Sequence, residues 1–219
     1  MKILIVCLTI ALLGYLLWES IRAKRDRKKL KHIIYVNGTR GKSSVTRMID
    51  GGLRAAGYKV FGKTTGTDPM TINTAGEEAL IHRHGRANIK EQLTVMHQAV
   101  KDGAEILVIE CMAVQPELQK ISQHQMLKAD IGVITNARLD HTDEMGNTVE
   151  AICRSLCNTV PVNGHIFTAD SLHADIIKSY ADKNGSEFHL SDSETLGSLP
   201  EGMSLEFPEN VALALAVCE

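Results

Sequence analysis

A glycine-rich segment with one lysine and two serines, Gly38-Thr39-Arg40-Gly41-Lys42-Ser43-Ser44, directly follows a short apolar run. Glycines let backbone N–H groups close around an anion, and the dipole of a following helix adds to the attraction. In such a loop the lysine reaches terminal phosphates and the first serine hydroxyl binds Mg²⁺. Val36 stands where the full Walker A pattern has its first glycine, so this loop is shorter. The order of strand, glycine turn and helix favours a nucleotide phosphate site over an ordinary glycine turn.

Acidic and imidazole side chains follow two further apolar runs. Glu110 comes directly after Ile106–Ile109, and Asn136 and then Asp140-His141-Thr142-Asp143 follow Ile131–Thr135. A carboxylate at the end of a strand suits Mg²⁺, although it is also typical of a solvated residue or a helix cap. His141 between two aspartates suits a second metal ion, with a carboxylate orienting the imidazole, but the same pattern occurs in surface loops.

Two more polar segments carry groups that bind anions. The first, Gly62-Lys63-Thr64-Thr65-Gly66-Thr67-Asp68, is rich in hydroxyls and is predicted to be a loop. The second, His82-Arg83-His84-Gly85-Arg86, has a composition that suits a metal ion or an anionic substrate. A solvated loop is the simpler interpretation of the second segment.

The elements that must position these groups alternate between apolar strands and amphipathic helices. Continuous apolar runs of strand length are typical of parallel strands buried on both faces. Their alternation with helices predicts an α/β fold, a doubly wound and mostly parallel sheet with a P-loop. Ligands of such sheets bind beyond the carboxyl ends of the strands, so the polar segments are expected at one edge. The first predicted strand begins at residue 33. The other predicted strands lie near 58–61, 106–109, 131–135, 165–169 and 188–190.

Local signals mark where the predicted helices begin. Asn88 followed by Glu91 has the spacing of a capping box, and Gly103 closes that helix. Thr148 and Ser171 are predicted to cap two later helices. Residues 69–87 are predicted to be irregular.

The N-terminal region has the composition of a membrane segment. Ile3–Trp18 is almost wholly apolar and as a helix would span about 24 Å, slightly less than a typical bilayer core. The basic run Arg22–Lys31 follows, and the positive-inside rule then places the rest of the chain in the cytoplasm. A cleaved signal peptide needs its positive charge mainly before the apolar run, where only Lys2 stands. We therefore expect three parts: a single-pass anchor (1–18), a basic juxtamembrane linker (19–31) and the α/β domain (32–219).

Length, charge and cysteine content limit the number of domains, the kinds of partner and the state of the thiols. The 219 residues allow one domain of ordinary size plus an appendage, and the net charge of −2 gives no global reason to expect nucleic acid. Beside a membrane segment, the basic run favours anionic lipid as its partner. The five cysteines include no C-x-x-C pair, and Cys153 and Cys157 lie one helical turn apart, which favours burial over a metal site. Reduced thiols in a cytosolic setting are expected.

Taken together, these motifs resemble the Mur ligase superfamily. The loop Gly38–Ser44 is similar to its short phosphate loop, Val108-Ile109-Glu110 to its metal-binding glutamate, and Thr135-Asn136 with Asp140-His141-x-Asp143 to its T-N-x-x-x-D-H-x-D segment. Within the superfamily the chain most resembles the ligase subunits of poly-γ-glutamate synthases. That resemblance extends to the N-terminal apolar segment, to Gly62–Asp68 and to the tail Phe207-Pro208-Glu209-Asn210.

The resemblance implies an ATP-dependent amide ligase that uses ATP and Mg²⁺. A terminal carboxylate of poly-γ-glutamate would take the γ-phosphoryl group, and the amino group of an incoming glutamate would displace phosphate. Lys42 and the loop would hold phosphates, and Asn136 would also bind the nucleotide. Ser43 and Glu110 would hold one Mg²⁺, and His141 a second one. The residues expected to line the acceptor site are Lys63, Thr64, Thr65 and Thr67. Small membrane subunits of a synthase and export complex are the implied protein partners.

The sequence also departs from the family. Many Mur ligases use a carbamylated lysine after the D-H segment, but no lysine lies between Lys128 and Lys178. In the tail only Asn210 aligns with the asparagines that meet adenine. The chain ends within a predicted helix and has no third, substrate-binding domain, so we expect the pocket to be completed by further sequence or by a partner. A P-loop kinase or NTPase, and a non-catalytic nucleotide-binding subunit of a membrane complex, are the alternatives.

Overall fold

The computed structural model describes residues 2–66, 68–83, 85, 87–196 and 207–219. The strands in these ranges are β1 His32–Asn37, β2 Val60–Thr64, β3 Met70–Ile72, β4 Glu78–Leu80, β5 Ile106–Glu110, β6 Ile131–Ile134, β7 His165–Thr168 and β8 Glu187–Leu190. The helices are α1 Lys2–Lys29, α2 Lys42–Ala55, α3 Glu91–Lys101, α4 Pro116–Ile121, α5 Thr142–Met145, α6 Val149–Leu156, α7 Ala174–Asn184 and α8 Pro208–Cys218.

The described strands form one sheet in the order β4-β3-β2-β5-β1-β6-β7-β8. Strands β2, β5, β1, β6, β7 and β8 are parallel, whereas β3 and β4 pair antiparallel at one end. The phosphate loop follows β1, which lies between β5 and β6, and Glu110 ends the neighbouring strand β5. The prediction of a doubly wound, mostly parallel α/β sheet is therefore confirmed.

Helices cover both faces of the sheet because the central strands are apolar on both faces. One face packs Ile34, Val36 and Val108 against α2 and α8. The opposite face packs Tyr35 and Ile109 against α3 and, farther along, the later strands against α6 and α7. A π-helical turn, Ser122–Leu127, extends α4 and contributes the buried Leu127 to this second layer.

The segment between β2 and α3 differs most from the sequence prediction. Strand β2 extends to Thr64, so Gly62, Lys63 and Thr64 lie in the sheet and not in a loop. The region predicted to be irregular, 69–87, contains β3 and β4. These strands are three residues each, too short for a clear alternation of apolar and polar side chains.

Helix caps were predicted with mixed success. Thr148 caps α6 as expected, since its Oγ1 accepts a hydrogen bond from Ala151 N at 3.1 Å. The capping box was wrong: Asn88 forms a turn with Lys90 N, and the Glu91 carboxylate binds cationic side chains instead. The Ser171 cap was also wrong, because Asp170 caps that turn.

Helix α1 is a single continuous helix through both the apolar and the basic segments. Its apolar part is exposed, and the helix is long and apolar enough to cross a membrane by length and composition. The segment predicted as a linker is helical to Lys29 and packs on the α/β body. There Asp26 contacts His97 at 2.9 Å and Arg27 contacts Asp130 at 2.9 Å.

Candidate functional site

The phosphate loop adopts backbone conformations that require glycine at two positions. Gly38 has φ +137°, and a Cβ on it would lie 2.0 Å from Thr135 Oγ1. Gly41 has φ +81° and is the residue before α2, so the chain turns sharply into the helix. The loop therefore presents the first turn of α2, with its unpaired N–H groups and positive dipole end, at the carboxyl edge of the sheet.

The residues after β6 hold this loop in place. Asn136 Oδ1 accepts hydrogen bonds from Thr39 Oγ1 at 2.7 Å and Arg40 N at 3.2 Å, while Asn136 Nδ2 donates to Arg40 O at 3.1 Å. Thr135 Oγ1 donates to the same carbonyl at 2.6 Å. Asn136 is predicted to bind the nucleotide, but in the structure its side chain is hydrogen-bonded to the phosphate loop. Thr135 is a positioning residue that the sequence prediction did not include.

Lys42, the first residue of α2, lies over the loop. Its Nζ donates to Gly38 O at 2.7 Å and lies 3.4 Å from Thr39 O. Both contacts are to neutral carbonyl oxygens, so the ammonium keeps its full positive charge at the cavity. Ser43 follows it with its hydroxyl inside the site, whereas Ser44 and Arg40 are exposed.

Glu110 is buried, and among the described residues all of its hydrogen-bond donors are neutral groups. Its Oε2 accepts from Ser43 Oγ at 2.7 Å and from Thr65 N at 2.7 Å. Glu110 is 2% exposed, and in the part of the chain that the structure describes no cationic side chain lies within ion-pair distance of its carboxylate. A carboxylate and a hydroxyl in contact beside a phosphate loop form a hard oxygen donor set, which fits Mg²⁺.

His141 approaches from the other side of the loop. It has a left-handed backbone (φ +47°) and stands directly before the short helix α5. Its ring is half exposed, and Nε2 lies 3.9 Å from Asp140 Oδ1. Asp140 in turn faces Arg40 at 3.4 Å. The arrangement leaves the imidazole free to meet a ligand in the cavity.

These groups converge on one cavity of about 290 Å³. Its lining combines the phosphate loop, the strand ends and the segment after β5, and includes Gly38, Thr39, Lys42, Thr65, Glu110, Met112 and His141. Lys42, Glu110 and His141, chosen from three separate parts of the sequence, thus face the same space. Arg83 and Ala87, from the region predicted to be irregular, also line this cavity.

The structure places only one of the residues predicted for the acceptor site at the cavity wall. Thr65 lines the cavity, and its backbone N–H binds Glu110. Lys63 and Thr64 are buried within β2 and do not line the cavity. Thr67 lies outside the described residues, as do His84 and Arg86 of the second polar segment.

The buried Lys63 forms an ion cluster with the partly buried Glu91 and Arg83. Its Nζ lies 3.1 Å from Glu91 Oε1, and Arg83 forms a two-point contact with Glu91 at 2.7 and 2.9 Å. Burial lowers the pKa of Lys63, although the charge of Glu91 opposes that shift. Burial acts to raise the pKa of Glu91, but Arg83 and Lys63 outweigh it and hold that pKa below its ordinary value. The cluster fixes Arg83 at the cavity wall, a role that the sequence did not indicate.

Asn210, expected at the adenine, packs behind the loop in this structure. A Cβ on Gly41 would lie 2.9 Å from Asn210 Nδ2, so the two residues are in close contact. Asn210 is 6% exposed, and its Oδ1 has no hydrogen-bond partner among the described residues. Helix α8 therefore forms the back of the phosphate loop.

Comparisons with known proteins agree with this fold. Residues 36–196 match the Mur ligase middle domain. The chain therefore belongs to the Mur ligase family, through the domain that carries the phosphate loop and Glu110.

Two curated relatives are more specific. The chain is 38% identical over 221 aligned residues to "PGA synthase CapB" of Bacillus subtilis (strain 168), which covers 99% of this chain and 56% of that protein. It is also 38% identical over 215 residues to "Capsule biosynthesis protein CapB" of Bacillus anthracis, with coverage of 96% and 46%. The chain thus spans about half the length of the curated relatives it matches.

Solved structures support the fold alone, since their identities are low. An FPGS–AMPPCP–folate complex matches with a TM-score of 0.63 and 15% identity, covering 92% of this chain and 60% of that one. E. coli FolC in complex with ADP matches with a TM-score of 0.62 and 20% identity, covering 90% and 56%.

Proposed function

We propose that this chain is the ATP-binding part of an amide ligase that adds glutamate to a poly-γ-glutamate chain. The observation that carries the proposal is the convergence of Lys42, Glu110 and His141 on one cavity beside a glycine loop. The names of the two curated relatives, a PGA synthase and a capsule biosynthesis protein, support the choice of polymer.

The proposed reaction has two steps. An oxygen of the terminal carboxylate attacks the γ-phosphorus of ATP, giving an acyl phosphate and ADP. The amino nitrogen of the next glutamate then attacks the acyl carbon, phosphate leaves, and the nitrogen loses a proton as the amide forms. Both reactants of the first step are anions, so cationic groups must offset their repulsion.

The residues of the cavity meet that requirement. Lys42 and the N-terminus of α2 hold the β- and γ-phosphates, and Thr135 and Asn136 keep the loop in shape. Ser43 and Glu110 would hold one Mg²⁺, and His141 a second, which neutralise charge on the transferring group. Thr65 lines the acceptor side, and Arg83 supplies a guanidinium at the cavity wall.

The chemistry is tested in the full-length synthase with its partner subunits. We expect release of ADP and phosphate that depends on glutamate, and its loss in Lys42→Ala. Lys101→Ala, which removes an exposed lysine at the end of α3, is the matched control and keeps the activity. Phosphate release that is indifferent to glutamate contradicts the proposal.

A trapping experiment separates the ligase from a kinase. Hydroxylamine converts an acyl phosphate into a hydroxamate, whereas a phosphoester does not react in this way. Formation of the hydroxamate on the polymer, dependent on ATP, supports the ligase. A hydroxylamine-resistant phosphorylated product indicates a P-loop kinase, and tight nucleotide binding without turnover indicates a non-catalytic subunit.

We further propose that α1 anchors the protein in the cell membrane as a single span, with the α/β domain in the cytoplasm. The exposed apolar face of α1 and the basic residues at its end support this arrangement. Anchoring would keep a growing polyanion beside small membrane subunits that export it. Deleting residues 2–18 should release the protein from membranes and abolish polymer export while sparing ATP turnover; retained export would contradict this part.

A further inference from the structure

Two histidines and a glutamate gather at the edge of the sheet far from the phosphate loop. His165 begins β7, and Glu187 and His189 lie on the neighbouring edge strand β8. Their ligand atoms all lie within 4.8 Å of one another. We propose that His165, Glu187 and His189 form a binding site for a divalent transition-metal ion of the zinc type.

The distances within the group match those of a metal site. His165 Nδ1 lies 3.2 Å from His189 Nε2 and 3.4 Å from a Glu187 carboxylate oxygen, and His189 Nε2 lies 3.8 Å from the other oxygen. Tetrahedral zinc with metal–ligand bonds near 2.05 Å places its ligand atoms about 3.3 Å apart. An ion therefore fits between these atoms with little movement of the side chains.

The register of the sheet fixes the three side chains on one face. His165 pairs with Glu187, and Phe167 pairs with His189, in parallel β7 and β8. The ring of His189 stacks on Phe167 with centroids 4.3 Å apart and planes 12° apart, and the rings of His165 and His189 also stack. Phe167 is itself packed against the core beneath α2 and α8. The imidazoles are held in place before any ion arrives.

The ligand types select the ion. Two imidazole nitrogens and one carboxylate suit zinc and its neighbours in the transition series better than Mg²⁺, which is held mainly by oxygen ligands and keeps several of its waters. Three protein ligands leave a fourth position open, which solvent fills at this exposed edge. The site lies toward the amino ends of the strands, while the cavity with Glu110 lies at the carboxyl ends. Its ion is therefore separate from any Mg²⁺ held with the nucleotide.

Metal binding is measured on the full chain, purified in detergent without a histidine tag and kept in excess Mg²⁺. Co²⁺ is titrated and followed by its visible absorption, and Zn²⁺ affinity is obtained by competition. We expect one ion per chain with the intense bands of a four-coordinate ion and without the thiolate charge-transfer bands that binding to Cys7 or Cys218 would give.

Variants identify the ligands. His165→Ala and His189→Ala are each expected to weaken Co²⁺ and Zn²⁺ binding at least tenfold, and Glu187→Gln to weaken it in the same direction. His32→Gln is the matched control, because it removes an exposed imidazole that also contacts a carboxylate, Asp130 at 2.6 Å, and it should leave binding unchanged. Circular dichroism checks that each variant is folded.

A second measurement guards against a variant that binds poorly because it is unstable. Zn²⁺ should raise the thermal unfolding temperature of the unaltered chain and of His32→Gln, and should have no such effect on His165→Ala. Saturable binding that survives the joint loss of His165 and His189, or no saturable binding to the unaltered chain, overturns the proposal. In the second case the 3.2 Å contact is a hydrogen bond between two imidazoles.

Discussion

Two carboxylates near the cavity, the buried Glu110 and the partly buried Glu91, have opposite surroundings. Glu110 accepts hydrogen bonds from a hydroxyl and a backbone N–H, both neutral. Glu91 contacts two cationic side chains, Lys63 and Arg83. Within the described ranges Glu110 has no ion-pair partner, whereas Lys63 and Arg83 offset the charge of Glu91.

We therefore expect Glu110 to matter mainly for function and Glu91 mainly for the stability of the fold. A buried charge without a permanent partner raises the free energy of the fold and is explained by a ligand that arrives later. A buried charge within a satisfied cluster holds secondary structure elements together, here β2, the segment before α3, and α3. Replacing each glutamate by glutamine removes the charge with little change in shape, so the two variants should fail in different ways.

The largest effect is expected from Glu110→Gln on catalysis. Loss of this proposed Mg²⁺ ligand should lower the rate of amide formation about 1000-fold, which corresponds to about 4 kcal/mol of transition-state stabilisation. The stability of the chain should be retained or rise slightly, because a buried charge is removed while the amide oxygen still accepts the hydrogen bonds from Ser43 and Thr65. Glutamate-dependent phosphate release in the full synthase measures the rate, and Glu117→Gln, an exposed glutamate on α4, is the control.

The next effect is expected from Glu91→Gln on stability. Removing this charge leaves the fully buried ammonium of Lys63 without its counter-ion, which should lower the free energy of unfolding by about 3 kcal/mol. Denaturant-induced unfolding of the chain in detergent measures it. If Glu91→Gln instead abolished activity at unchanged stability, the contrast with Glu110 would be lost.

A double variant sharpens the same contrast. Lys63→Met in the Glu91→Gln background removes the stranded cation and replaces it with an apolar side chain of similar length. About 1–2 kcal/mol of the lost stability should return, because the uncompensated charge is gone. A double-mutant cycle on unfolding free energies gives the coupling, and additive losses would indicate that the ion pair contributes nothing.

The smallest effect is expected from pH. Because the pKa of Glu91 is lower in the folded chain than in the unfolded one, its contribution to stability is complete above its unfolded pKa of about 4.3. It is lost as the pH falls through the lower, folded value. The stability gap between the unaltered chain and Glu91→Gln should therefore narrow in acid and stay constant from pH 5 to 7. A gap that widens in acid would have the wrong sign.

Sequence reasoning was most successful where a motif is continuous in the chain. The phosphate loop, Glu110 and the segment Asn136–His141 each follow an apolar strand, and parallel topology alone brings strand ends together. The structure brings Lys42, Glu110 and His141 to one cavity as that topology predicts. Their catalytic roles remain predictions until variants are measured.

The region from β2 to α3 was harder to predict because its structure depends on contacts between distant residues. Lys63 was predicted to lie in a hydroxyl-rich loop at the acceptor site. Its partner Glu91, 28 positions later in the chain, instead pairs with it inside β2. Glu91 has the local spacing of a capping box, and the tertiary ion pair overrides that local preference. The role of Arg83 depends on the same cluster.

The packing of Asn210 against Gly41 has a consequence for biosynthesis. The phosphate loop leaves the ribosome early, but its rear wall is supplied by a helix that is translated about 170 residues later. A nascent chain therefore carries the glycine motif through the synthesis of about 170 further residues before the helix that packs behind it is available. We expect the loop to reach its final shape only after α8 has packed against it.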